Sequence, residues 1–378
     1  MKTIRLFCNA ALVVLATFVF FSVPARGQEF PVATKTLKNG MKVLVQTDHS
    51  IPNVALYIFY RIGSRNEGPG TTGLSHFFEH MMFNGAKKYG PGELDKFMEA
   101  NGGANNAYTT RDVTVYQDWF PRSALSLIYD IEADRIQNLS FDPQKIKSER
   151  EVVASERRLR VDNDNGGLMD EQLWATSYIA HPYQWPVLGW TSDIEHWTME
   201  QLRHHFEMGY SPNNATMVVT GDVSPEEIFQ LCEKYIEPIP THAPPPPVVT
   251  VEPAFDPSII EVAAQPKQGV DPAKCENAMY EEFDNAKNAT VSDTELEKAK
   301  NIRLAEFYRE MRTINGRANT IGTYEVFFGD YRKLFDAAKN YSAVTKEDVQ
   351  RVAKAYFGAN NRTVSTLIPE NAEEKAKP

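Results

Sequence analysis

Cysteine is nearly missing from this sequence: Cys8, Cys232 and Cys275 are the whole complement in 378 residues. That excludes a disulfide framework, so stability must come from a packed core. Pairing of Cys232 with Cys275 and two separate thiols both stay open. Excess positive charge is missing too. Forty Lys and Arg against fifty Asp and Glu leave a net charge of −10, which argues against nucleic acid as a partner and mildly favours basic peptides. Long apolar runs are confined to one place. Lys2 and Arg5 precede the run Leu6 to Val23, and Ala25 and Gly27 follow, the pattern of an export signal over residues 1–27. Cleavage would give a periplasmic or secreted protein with no stable membrane contact. Retention would give a single-span anchor, since the run is close to the minimum spanning length. The remaining chain, 42% hydrophobic and 24% charged, has ordinary globular composition and a length that suits two domains.

What is present is concentrated in His76-Phe77-Phe78-Glu79-His80, within an apolar stretch closed by Gly85. On a helix, positions i, i+3 and i+4 share a face, so both imidazoles and the carboxylate project together. Two neutral imidazoles one turn apart suit Zn2+, and Glu79, not itself a ligand, is placed as a general base. The order His-x-x-Glu-His is the inverzincin signature. The same pattern also suits a buried helix whose histidines only satisfy core hydrogen bonds. A zinc hydrolase needs a third protein ligand, and the candidate is Glu156, on a charged helix where Glu149 lies two turns earlier on the same face. Glu149 would stand behind the ligands and orient a histidine. A merely solvated charged helix is the other reading of that stretch.

These motifs resemble the pitrilysin, insulin-degrading enzyme and mitochondrial processing peptidase family. The resemblance rests on the His-x-x-Glu-His helix, the Glu-x6-Glu helix whose last Glu stands 76 residues beyond His80, and Asn106-Ala107-Tyr108-Thr109 between them. It extends from about residue 32 to 223 and, more weakly, from about 259 to 369. It implies zinc ligation by His76, His80 and Glu156, a catalytic Glu79, and peptide binding on the strand carrying Asn106, Ala107 and Tyr108. Such a strand could present an open edge to which an extended substrate adds.

Strand patterns cover 41–46, 54–60, 104–110, 113–120 and 215–220, and helix patterns cover 91–100, 121–138, 143–160, 167–177 and 199–208, an α+β arrangement. The segment 181–189 resembles a family loop lying over the site, where rigidity is its expected role. His196, His204 and His205 have no matching carboxylate cluster and read as surface or structural residues. Residues 237–253, with Pro244 to Pro247, form a proline-rich linker between an N-terminal catalytic domain, 30–236, and a C-terminal one, 254–369, with a disordered tail over 370–378.

Thr345 to Asn361 aligns without gaps on Thr198 to Asn214, sharing the Thr, a Glu and the Asn-Asn pair. The halves thus look like copies of one unit: a duplicated pitrilysin-type domain, the first copy complete and the second truncated by roughly seventy residues. In that second copy, strands are expected at 255–264 and 363–367, and helices at 271–287, 292–312, 316–328, 331–338 and 345–357. Two functions follow. One is a zinc metalloendopeptidase acting on peptides or unfolded segments. The other is a peptide-binding or scaffolding subunit, in a homodimer or a heterodimer with a related subunit, that needs a partner to complete its chamber.

Overall fold

In the computed structural model, residues 30–250 and 259–368 are described. The segments read above as an export signal and as a tail lie outside them. Six strands make one sheet: β1 (Ala33–Thr36), β2 (Lys42–Thr47), β3 (Asn53–Tyr60), β4 (Ala104–Thr109), β5 (Thr114–Pro121) and β6 (Ala215–Gly221), in the order β1-β2-β6-β3-β5-β4. β2 and β6 run parallel and all other neighbours antiparallel. Continuous apolar runs sit in the middle: all seven residues of β6 are buried, and β3 is buried from Val54 to Tyr60. That is the pattern of strands covered on both faces.

The helices are α1 (Leu74–Met81), α2 (Glu93–Ala100), α3 (Leu125–Asn138), α4 (Pro143–Arg157), α5 (Asn165–Ser177), α6 (Thr191–His196), α7 (Met199–Gly209), α8 (Pro225–Leu231), α9 (Pro272–Asn288), α10 (Asp293–Glu310), α11 (Ile314–Phe328), α12 (Ala337–Ala343) and α13 (Lys346–Tyr356). One sheet face contributes Val45, Leu56, Ile58, Tyr116 and Val219 to a core shared with Phe77, Phe78 and Met81 of α1 and with Ile128 and Tyr129 of α3. Residues of opposite parity, Leu44, Ala55, Tyr57, Phe59 and Val218, point the other way and are equally buried.

That second face is covered from across the linker. Gly322 of α11 sits so close to β3 that a Cβ there would lie 2.0 Å from the Phe59 ring. Thr220 Oγ1 donates to the Ile314 carbonyl at 2.7 Å, Arg317 Nε donates to Gln46 Oε1 at 2.9 Å, and Arg317 also pairs with Asp48. The described residues from Val32 onward consequently form one compact unit.

The chain is a mixed α and β structure with a complete first sheet, and beyond the linker the described residues are helical. The five helices expected there are present within a few residues, with 331–336 forming a tighter turn that leads into α12. The two expected strands are not. Residues 363–367 and the described part of the other, 259–264, are irregular, and among the described residues no neighbouring strand accepts or donates their backbone hydrogen bonds. Cys232 and Cys275 are free thiols. Among the described residues no helix is long and apolar enough to cross a membrane.

Candidate metal centre

Helix α1 is held by its surroundings rather than by a side-chain cap. Its N-cap Gly73 has φ +88°, and a Cβ there would lie 2.7 Å from the Leu188 carbonyl, so the 186–189 loop packs directly on the helix start. The buried Glu67 carboxylate accepts from Gly73 N and Ser75 N, both at 2.6 Å, satisfying amides the first turn leaves free. Burial pushes Glu67 up to about 7, against the pull of those hydrogen bonds. Ser75 Oγ lies 3.1 Å from His205 Nε2, and Tyr210 and Tyr116 donate to the carbonyls of Ser75 and Phe78. His205 is thus a buried structural residue, while His196 and His204 are exposed.

Helix α4 starts on Asp142, whose carboxylate accepts from Gln144 N at 2.7 Å, with Pro143 in the first turn. Its far end runs into a widened turn over Arg158–Asp162. Buried Arg157 fastens that end, donating to Glu171 and to the Gly189 carbonyl, each at 2.7 Å. The same 181–189 segment therefore braces both helices.

Between α1 and α4 three ligand-type atoms converge. His80 Nε2 is 3.3 Å from His76 Nε2 and 3.3 Å from Glu156 Oε2, and His76 Nε2 is 3.6 Å from that oxygen. Among the described residues His76, His80 and Glu156 are the group that could hold a metal ion. Atoms bound tetrahedrally at about 2.0–2.2 Å stand roughly 3.3–3.6 Å apart, so the donor set fits zinc without rearrangement. His80 Nδ1 is 2.8 Å from Glu149 Oε1, whose other oxygen accepts from Asn84 Nδ2 at 2.7 Å. In the neutral ring that a metal requires, that contact places the proton on Nδ1 and leaves the Nε2 lone pair facing the centre. Arg160 Nη2 holds the second oxygen of Glu156 at 3.0 Å.

The electrostatics favour a cation. Burial disfavours protonation of His80, but hydrogen bonds to Glu149 and Glu156 and their charge outweigh it and raise the ring to about 9. Burial and the neighbouring His80 push His76 down to about 4. The hydrogen bond to His80 lowers Glu156. Glu79 stands beside the trio, accepting from Thr109 Oγ1 at 2.5 Å, its pKa raised by burial.

Among the described residues β4 is a sheet edge, paired with β5 alone. Alternation divides the three residues proposed there. Ala107 packs with Thr109 toward α1, whereas Asn106 and Tyr108 turn to the opposite face, where Tyr108 Oη donates to Asn319 Oδ1 of α11 at 3.2 Å. Spacing arguments missed Thr109, Asn84, Arg160 and Glu67. Thr109 could have been found from its parity with Ala107, whereas Glu67 sits in a loop with no periodic signal.

Residues 42–190, which contain His76, Glu79, His80, Glu149 and Glu156, match the family model described as Insulinase (Peptidase family M16), and residues 196–266 match Peptidase M16 inactive domain. This chain belongs to the peptidase M16 family. Its M16 relatives include the zinc protease PqqE of Helicobacter pylori, 34% identical over 203 residues, 53% of this chain and 46% of that protein. Another is a probable mitochondrial-processing peptidase subunit beta of Arabidopsis thaliana, 30% identical over 53% of this chain and 37% of that protein. The chain therefore spans about half the length of the curated relatives it matches or less. A crystal structure of a protease from Helicobacter pylori superposes with a TM-score of 0.77 at 23% identity, covering 88% of this chain and 98% of that one, and shares the M16 fold.

Proposed function

We propose that this M16 chain is a zinc-dependent metalloendopeptidase that hydrolyses peptide bonds in peptides or unfolded segments. The observation that carries the reading is the convergence of His76 Nε2, His80 Nε2 and Glu156 Oε2 at 3.3–3.6 Å with Glu79 alongside. His76, His80 and Glu156 would hold one Zn2+ per chain, oriented by Glu149. When bound, the ion supplies a Lewis acid that polarises the scissile carbonyl and acidifies water. Glu79 takes the proton of the attacking water and returns it to the leaving amine, and Thr109 fixes which carboxylate oxygen is free to do so. The main chain of Asn106, Ala107 and Tyr108 binds substrate by adding it to the open edge of β4. With the 1–27 segment removed, the enzyme would act outside the cytoplasm.

The lack of strands beyond the linker, among the described residues, favours a second reading. In it the chain is a peptide-binding or scaffolding subunit whose chamber a partner completes. Cleavage of a quenched fluorescent peptide library by the zinc-loaded mature chain separates the two. Turnover that falls about 10²–10⁴-fold in Glu79→Gln supports the peptidase. Zinc-loaded chain without turnover supports the subunit.

A further inference from the structure

The 181–189 segment touches both helices that carry the metal ligands. Its Leu188 carbonyl lies against Gly73, the N-cap of α1, and its Gly189 carbonyl accepts from Arg157 at the end of α4. A third contact reaches β4, at the turn 110–113 that joins it to β5. There Asp112 Oδ1 accepts from Tyr183 Oη and from Arg65 Nη1, each at 2.7 Å. Arg111 Nε donates to the Tyr183 carbonyl at 3.2 Å, and its guanidinium lies 3.5 Å from the centre of the Trp174 ring of α5. The backbone of the turn is held too. Ser64 N and Arg65 N donate to the carbonyls of Thr110 and Arg111, at 3.3 and 3.0 Å. A Cβ on Gly63 would lie 2.5 Å from the Thr110 carbonyl oxygen, so only glycine lets the two segments approach this closely. Asp112 is thus where the turn 63–66, the turn 110–113 and the 181–189 segment meet, its side chain only 18% exposed. Charge-assisted bonds in so sheltered a place are strong and little screened by salt.

The junction stands three residues from Thr109, the last residue of β4, whose Oγ1 donates to Glu79 Oε2 at 2.5 Å. Among the described residues β4 pairs with β5 alone, so one row of ladder bonds holds it where a central strand has two. Its end therefore needs a second anchor if the Thr109 hydroxyl is to stay on Glu79. We propose that Asp112 is a positioning residue: by tying the end of β4 to the segment that braces α1 and α4, it holds Thr109, and through Thr109 the Glu79 carboxylate, in register with the three metal ligands. This role rests on the peptidase reading above. It acts on the reaction step rather than on affinity, because the ligands sit on α1 and α4, and the main chain of 106–108 keeps its own ladder to β5.

Steady-state turnover of a quenched fluorescent peptide by the zinc-loaded chain tests it. In Asp112→Ala kcat should fall about 10²-fold, with KM and zinc affinity within about twofold of the wild type. Asp112→Asn keeps an acceptor for Tyr183 and Arg65 and should recover most of the loss. Tyr183→Phe removes only a hydroxyl, should lower kcat in the same direction by less, and carries the test even if Asp112→Ala does not fold. Adding Asp112→Ala to Thr109→Val should slow the enzyme no further than Thr109→Val alone, since both act along one path. A purely structural role would instead multiply the two losses and lower zinc affinity. A wild-type kcat in both Asp112→Ala and Tyr183→Phe, a loss carried by KM or zinc affinity, or losses that multiply with Thr109→Val, overturns the role of Asp112 alone. A zinc-loaded wild type without turnover overturns the peptidase reading, and the role of Asp112 with it.

Discussion

Glu67 shows what a single residue does for this site. Its carboxylate caps α1 from a loop, buried, with an elevated pKa of about 7 against the ordinary 4.5. A carboxyl raised in the folded state keeps its proton longer there than in the unfolded chain. Between pH 4.5 and 7 the folded state therefore holds more protons, and stability falls as pH rises through that window. The contribution is on the order of 3 kcal/mol. Glu67→Gln cannot titrate, so urea midpoints of the two proteins should converge or cross in the variant's favour between pH 5 and 8. A pH-independent difference would refute the assignment. Glu149 acts through His80, and Glu149→Ala should weaken zinc affinity about 10–100-fold in a chelator competition while leaving the fold intact. The histidines could be found in the sequence because their spacing places them on one face of α1, and Glu156 because it stands two turns from Glu149 on α4. Glu67 could not, because its partners depend on a loop path that no periodicity encodes.

At the scale of elements, long helices with caps were legible and short or partner-dependent ones were not. Asp142-Pro143, Thr198 and Ser292 mark helix starts that the structure reproduces within a residue or two. β1, α6 and α8 carry four to seven residues each, too few for a pattern to emerge. Residues 363–367 have the composition of a strand and are irregular, and among the described residues no neighbouring strand pairs with them. The seating of α11 on β3 makes its own prediction. Gly322→Val must push Phe59 or the helix aside, and should cost about 1–3 kcal/mol in denaturant unfolding. An unchanged midpoint would mean α11 is not packed there.

Across the whole molecule, the division into halves by the proline-rich linker is a division of sequence more than of packing. Leu44, Ala55, Tyr57, Phe59 and Val218 lie on the sheet face that α11 covers. A chain ended at residue 250 leaves that face open, and is expected to aggregate or to unfold at lower denaturant than the full protein. Equal solubility and stability would contradict the arrangement. This contact joins residues more than 250 positions apart, such as Lys42 and Glu325, which is why sequence reading placed the second half in a body of its own.

If α1 and α4 bring three ligands to one ion, equilibrium zinc titration of the purified chain reads it. One zinc per chain should bind tightly, with affinity lost in His80→Ala and Glu156→Gln and retained in Glu79→Gln. Binding undiminished in the first two variants, or no binding by the wild type, would contradict the account.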